Sequence, residues 1–133
     1  LGISNQKGDI GEAAFILAVV KKGWWFAKMP QDCPYDMVID RRDGSGPKRV
    51  QVKYRAIEKS GAVSIQLTST ASNRNDYTVE SIDYFGIYLQ DTEECFLVPI
   101  CDLPIKGAIY FRCIDAKNKQ IEKVRSIYQF EKL

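Results

Sequence analysis

Residues 48–56 read Lys-Arg-Val-Gln-Val-Lys-Tyr-Arg-Ala, and their strict alternation sorts the side chains onto the two faces of a strand. Val50, Val52 and Tyr54 make one face, while Arg49, Gln51, Lys53 and Arg55 make the other, where every side chain is polar. Gln51 and Lys53 are then neighbours, roughly 6.5–7 Å apart at two strand rises. Asp36 follows the break at Pro34 and opens an apolar run, where a buried carboxylate is costly without a cation beside it. The turn Asp43-Gly44-Ser45-Gly46 folds the two segments antiparallel and can bring Asp36 near Gln51 and Lys53. A carboxylate, an amide oxygen and the peptide carbonyl of Val52 are hard donors of the kind that hold Mg²⁺. A lysine beside such an ion can orient an attacking water and stabilise charge developing on a phosphoryl group. Taken alone, the polar face has a plainer alternative, which is simple exposure to water.

Composition narrows the remaining chemistry. The chain has no histidine, which removes Ser-His-Asp and Cys-His catalysis and leaves carboxylates, Lys, Tyr, Cys or a bound metal. Cys33, Cys95, Cys101 and Cys113 form no CxxC pair and have no histidine to join them, so they read as reduced residues of an intracellular protein. No apolar stretch approaches the ~18 residues of a membrane span, and no leader pattern is visible. A length of 133 residues suits one domain over 1–133. A net charge of +2 means that any nucleic-acid partner must be met by a local basic groove. A neutral soluble enzyme of any kind fits that charge equally well.

The elements that would position these residues follow from periodicity. A helix is expected over Gln6–Lys22, with Ile10, Ala13, Ala14, Leu17 and Ala18 as its apolar stripe and Gly23 as its stop. Phe15, Ile16, Val19 and Val20 widen the stripe, so the second half of the helix should be buried nearly all round. Strands are expected over Trp24–Met29, Tyr35–Arg41 and Lys48–Ala56, with a break from Pro30 to Pro34. Further strands are expected over Ala62–Leu67, Tyr84–Leu89, Cys95–Ile100 and Ala108–Cys113. Thr68–Asp76 reads as a polar loop, and the chain beyond Ile121 shows no period. One helix followed by strands argues for α/β architecture, with a mixed sheet packed on the N-terminal helix.

Three runs in order carry a specific likeness: Gly8-Asp9-Ile10-Gly11-Glu12, then Pro34-Tyr35-Asp36-Met37-Val38-Ile39-Asp40, then Val50-Gln51-Val52-Lys53-Tyr54. Together they resemble the PD-(D/E)XK nuclease superfamily of restriction endonucleases, Holliday-junction resolvases and certain group I intron homing endonucleases. The likeness covers Gly8 to Tyr54, and Asp83-Tyr84-Phe85 and Leu97-Val98-Pro99 are similar to the second half of such nucleases. It implies a restriction-endonuclease-like core and Mg²⁺-dependent cleavage of double-stranded DNA, with Mn²⁺ as a substitute ion. Glu12 takes the place of the first-helix glutamate, Asp36 that of the metal-binding aspartate and Lys53 that of the catalytic lysine. Gln51 departs from the usual Asp or Glu, and in this it resembles the cyanobacterial-type homing endonucleases. The implied metal set is Glu12, Asp36, Gln51 and the Val52 carbonyl. The resemblance also implies a homo-oligomer, dimer or tetramer, acting on DNA in the cytoplasm or elsewhere inside the cell. A resolvase, a restriction-type nuclease and a non-catalytic DNA-binding module are the rivals.

Several residues keep two readings. Glu12 can be an exposed acid near a helix start, and Asp40 either a second acid near the metal or a hairpin partner of Arg41, Arg42 or Arg49. Trp24 and Trp25 are candidates for stacking on bases, yet adjacent strand residues point to opposite faces, so at least one belongs to the core. Arg41, Arg42, Lys48, Arg49 and Arg55 cluster around one hairpin and are candidates for DNA contact, with a solvated hairpin as the alternative. Arg74, between Asn73 and Asn75 in the polar loop, is a further candidate.

Overall fold

The computed structural model describes residues 3–67, 80–104, 107–114 and 125–133. Helix α1 (Ile3–Lys21) starts at Ile3, ahead of the expected Gln6, and ends as expected. Gly23 adopts φ 76° and its N–H donates to the Val20 carbonyl, a left-handed stop that glycine takes without strain. The face turned to the core differs from the expected stripe. Gly11, Phe15 and Val19 are buried, whereas Ile10, Ala13 and Leu17 are exposed. Periodicity cannot choose a face on a helix that is apolar nearly all round; fit against the sheet does. At Gly11 an added Cβ would stand 3.3 Å from the Cβ of Tyr54, and at Gly86 one would stand 2.7 Å from the Phe15 ring. Those two glycines let α1 lie close to the strands.

The strands, in chain order, are β1 (Trp25–Lys28), β2 (Met37–Asp40), β3 (Pro47–Arg55), β4 (Ala62–Gln66), β5 (Tyr84–Leu89), β6 (Glu94–Pro99), β7 (Ala108–Arg112), β8 (Arg125–Ser126) and β9 (Glu131–Lys132). Six of them form one sheet in the order β1-β2-β3-β5-β6-β9, in which β3 and β5 are parallel and the other pairs antiparallel. The expected mixed sheet on an N-terminal helix is present. Strands β4 and β7 match the expected Ala62–Leu67 and Ala108–Cys113, but their pairing with the two-residue β8 into a second sheet, β4-β7-β8, was not foreseen, because that pairing spans a long stretch of chain.

The core has two parts. Phe15 and Val19 of α1 pack on Met37, Ile39, Val50 and Leu97. Across the large sheet, Phe85, Ile87, Leu89 and Phe96 pack on Val63, Ile65 and Phe111 of the second sheet. The register pairs Gln51 with Phe85, Lys53 with Ile87 and Arg55 with Leu89, so the polar face of β3 continues the side that meets the second sheet. Gln51, Lys53 and Arg55 are accordingly half-buried, and simple exposure to water does not describe them. All four cysteines are free; burial pushes the Cys95 and Cys113 thiols up to about 11. Among the described residues no helix is long and apolar enough to cross a membrane.

Candidate active site

The β2–β3 ladder runs from Asp40↔Pro47 to Met37↔Val50, and Asp36 stands just beyond its end. There the Asp36 N–H donates to the Val50 carbonyl at 3.0 Å, and the Asp36 carboxylate accepts the Val52 N–H at 2.7 Å. A side chain thus occupies the acceptor position that a further strand residue would have filled. The carboxylate is thereby fixed beside the Val52 peptide, with Gln51 and Lys53 on either side of it in sequence. Burial raises the Asp36 pKa, against the opposing pull of the Val52 N–H and the charges of Lys53 and Lys28.

Glu12 comes to the same place from α1, which the Gly11–Tyr54 contact holds close to β3. It is half-buried, and its pKa is raised by burial and then by the charge of Asp36. Lys28, at the end of β1, pairs with it at 3.7 Å. The Lys53 ammonium is pushed the other way, its pKa lowered by burial and by Arg55 and partly restored by Asp36. Beside it a cleft of about 310 Å³ is lined by Lys7, Gly8, Val52, Lys53, Tyr54 and Arg55. Two part-buried carboxylates, one of which raises the other's pKa, with an amide and a peptide carbonyl close in sequence, suit a hard divalent cation. Among the described residues no three His, Cys, Asp or Glu side chains gather into such a site.

The basic hairpin is largely occupied with the protein itself. Arg41 makes a bidentate pair with Glu131 at 2.7 and 2.6 Å and stacks on Trp24. Arg49 grips both oxygens of Asp83 at 3.0 and 3.1 Å. Arg55 donates to the carbonyls of Ser64 and Tyr54, which ties β3 to β4. Arg42 is exposed, adopts φ 63° and lies over the Trp25 ring at 4.5 Å. Lys48 is half-buried on β3. The Asp40 carboxylate accepts the Arg42 N–H at 2.8 Å, a turn contact at the hairpin end away from Asp36. Trp24 packs with the α1 core while Trp25 is exposed. The Thr68–Asp76 loop, with Asn73, Arg74 and Asn75, lies outside the described residues.

Two lysines beside the site were not singled out from the sequence. Lys28 pairs in register with Met37, so it and Asp36 bracket the proline-bounded break, and an antiparallel reading of those two strands would have located it. Lys7 precedes Glu12 on α1, and its ammonium lies 6.0 Å from the centre of the Tyr54 ring.

A sequence model of the family described as PD-(D/E)XK endonuclease matches residues 3–133. No curated protein sequence matches the chain. Among solved structures, that of a bacterial homing endonuclease, I-Ssp6803I, superposes with a TM-score of 0.76 at 24% sequence identity, over 97% of this chain and 88% of that one. At that identity the likeness establishes a shared fold, the restriction-endonuclease-like arrangement of a helix on a mixed sheet.

Proposed function

Because the chain belongs to the PD-(D/E)XK endonuclease family, we propose that it hydrolyses phosphodiester bonds of double-stranded DNA with Mg²⁺, as a site-specific enzyme of the homing type. The observation that carries this reading is the convergence of Glu12 from α1, Asp36 from the end of β2 and Lys53 from β3 around one peptide of β3. Glu12, Asp36, the Gln51 amide oxygen and the Val52 carbonyl would hold the ion, which supplies Lewis acidity toward the phosphoryl group and acidifies a bound water. The chain's own groups do the rest. Lys53, partly desolvated, orients the attacking water and meets charge as it develops on the phosphoryl oxygens. Lys28, which pairs with Glu12, would yield that carboxylate to a bound ion. Gln51, an amide where most of the superfamily has an acid, favours a homing enzyme over a resolvase. Two strands need two centres, so a symmetric oligomer is the working form.

The test is cleavage with Mg²⁺ and with Mn²⁺ on plasmid, genomic and four-way-junction DNA, with Asp36→Asn as the control. Cutting at rare sites in linear duplex, absent from the control, is the expected result. Preference for four-way junctions would make the chain a resolvase. Tight binding without cutting under either ion would make it a non-catalytic DNA-binding module.

A further inference from the structure

Between Asp9 and Lys21 the only charged residue of α1 is Glu12. A helix so apolar is ordinarily buried on every side, yet the sheet covers only one. Opposite Gly11, Phe15 and Val19, the residues Ile10, Leu17 and Val20 keep 44%, 54% and 52% of their surface in water, with Ala13 exposed among them. On the adjoining edge strand Phe26, whose register partner Ile39 is buried on the α1 side, is 40% exposed. These side chains present on the order of 400 Å² of apolar surface, about half of the ~800 Å² that each partner contributes to a standard interface. Leu67 bonds to Gly107, Ile114 lies on Gly61, Arg125 lies in β8, and Glu80 meets Arg49 on the second-sheet side, all of them away from this stripe.

We infer that this face receives a second copy of the same chain, with two α1 helices packed antiparallel about a twofold axis level with Phe15. Ile10, Ala13, Leu17 and Val20 have the 3-4-3 spacing of a helix–helix seam. In that order the seam complements itself. Ile10 meets Val20 of the second copy, and the small Ala13 meets the large Leu17, as an isologous contact requires. The antiparallel order also sets the two helix dipoles in opposition. A twofold axis perpendicular to both helices keeps each residue on the same side of the pair in both copies. Glu12 lies about 60° around the helix from Phe15, at 3.6 residues per turn, so both Glu12 carboxylates emerge on one side. That placement matters only under the reading of the chain as a nuclease that cuts both strands; the contact itself does not depend on it.

Sedimentation of the purified chain tests the contact. The wild-type chain should form a dimer, or a multiple of one, at micromolar concentration. Ala13→Lys and Leu17→Glu should each raise the dissociation constant by about 10²-fold or more, since each sets a charge against an apolar residue at the centre of the contact. Combined in one chain they set Lys against Glu twice, and association should return. Both positions are exposed, so the fold should survive, which circular dichroism would verify. If either variant unfolds, Ile10→Lys and Val20→Glu pose the same question one layer out. A monomeric wild type, single variants that still dimerise, or a double variant that stays monomeric would each overturn the proposal. Cleavage is read separately. A chain that dimerises through α1 but never cuts DNA refutes the nuclease reading alone. A monomer that cuts both strands refutes the contact alone.

Discussion

At residue 51 an amide replaces the acid usual in the superfamily, and in the proposed centre the charge it withholds would set how the ion is held. Burial raises the pKa of both Glu12 and Asp36, and the Asp36 charge raises that of Glu12 further, so a third carboxylate would bind a cation more tightly at the cost of added repulsion toward the phosphate. Gln51→Glu should therefore support cleavage at lower Mg²⁺ concentration, with a slower maximal rate. Gln51→Leu keeps much of the volume without the oxygen and should raise the Mg²⁺ requirement. Cleavage rate against Mg²⁺ concentration for the three proteins checks both, and a wild-type curve from the Leu variant would remove residue 51 from the ligand set. Lys53→Ala should lose about 10²-fold or more in cleavage, as removal of a preorganised charge donor does. Its DNA affinity should barely change, because one cation is a small share of the phosphate contacts. Parallel loss of binding and cleavage would assign Lys53 to grip. Asp36→Asn keeps an oxygen that can accept the Val52 N–H, so it should fold and bind yet fail to cut. An active Asn variant would move the centre elsewhere.

Elements hold these residues in place through a few close contacts. Phe15 is fully buried and lies directly over Gly86, so Gly86→Ala should cost about 1–3 kcal/mol by overpacking and shift α1, with Glu12, away from β3. Urea denaturation would measure the cost, and Phe15→Leu in the same chain should recover part of it. The Arg49–Asp83 pair joins β3 to the residue before β5, and Arg49 holds the Asp83 carboxyl below the usual carboxylate range. With the folded pKa below the unfolded one, this stabilisation is complete above the ordinary carboxylate range and disappears as pH falls through the depressed value. Asp83→Asn should cost about 1 kcal/mol near neutral pH for a pair this exposed, and flatten the acid limb of stability. An equally steep acid limb in the Asn variant would assign that limb to other carboxylates. Much of this scaffold was legible in the sequence. Alternation defined β3, the Gly-containing turn paired it with β2, and the order of Glu12, Asp36, Gln51 and Lys53 pointed to the candidate site. The face of α1 was not legible, because an almost wholly apolar helix carries no moment and only Gly11 and Gly86 decide its seat. Strands β4 and β7 of the second sheet were legible, but their pairing was hidden by the long stretch of chain between them. The partners of Arg41 and Arg49 were hidden because Glu131 and Asp83 lie far along the chain.

For the molecule as a whole, a net charge of +2 leaves DNA affinity to a few well-placed cations. The hairpin cations do not contribute alike. Arg41 and Arg49 spend their guanidinium forks on Glu131 and Asp83, and a cation already neutralised by a carboxylate releases few counterions when DNA approaches. Arg42, exposed and stacked on Trp25, and Lys48, on the same hairpin, are better placed to meet phosphate. Replacing both by alanine should lower the slope of log affinity against log salt by up to about 2, one for each phosphate no longer neutralised. Arg41→Ala should change that slope by less than about 1 and should act chiefly on stability, because it leaves Glu131 unpaired at the sheet edge. The measurement is fluorescence anisotropy on a duplex between about 50 and 200 mM salt, a range over which each neutralised phosphate has a visible effect. Thermal unfolding of each variant separates weakened grip on DNA from a damaged fold. An unchanged slope in the Arg42→Ala/Lys48→Ala protein would place the hairpin away from the duplex, and DNA would then have to be gripped from the Lys7–Lys53 cleft and the surfaces beside it.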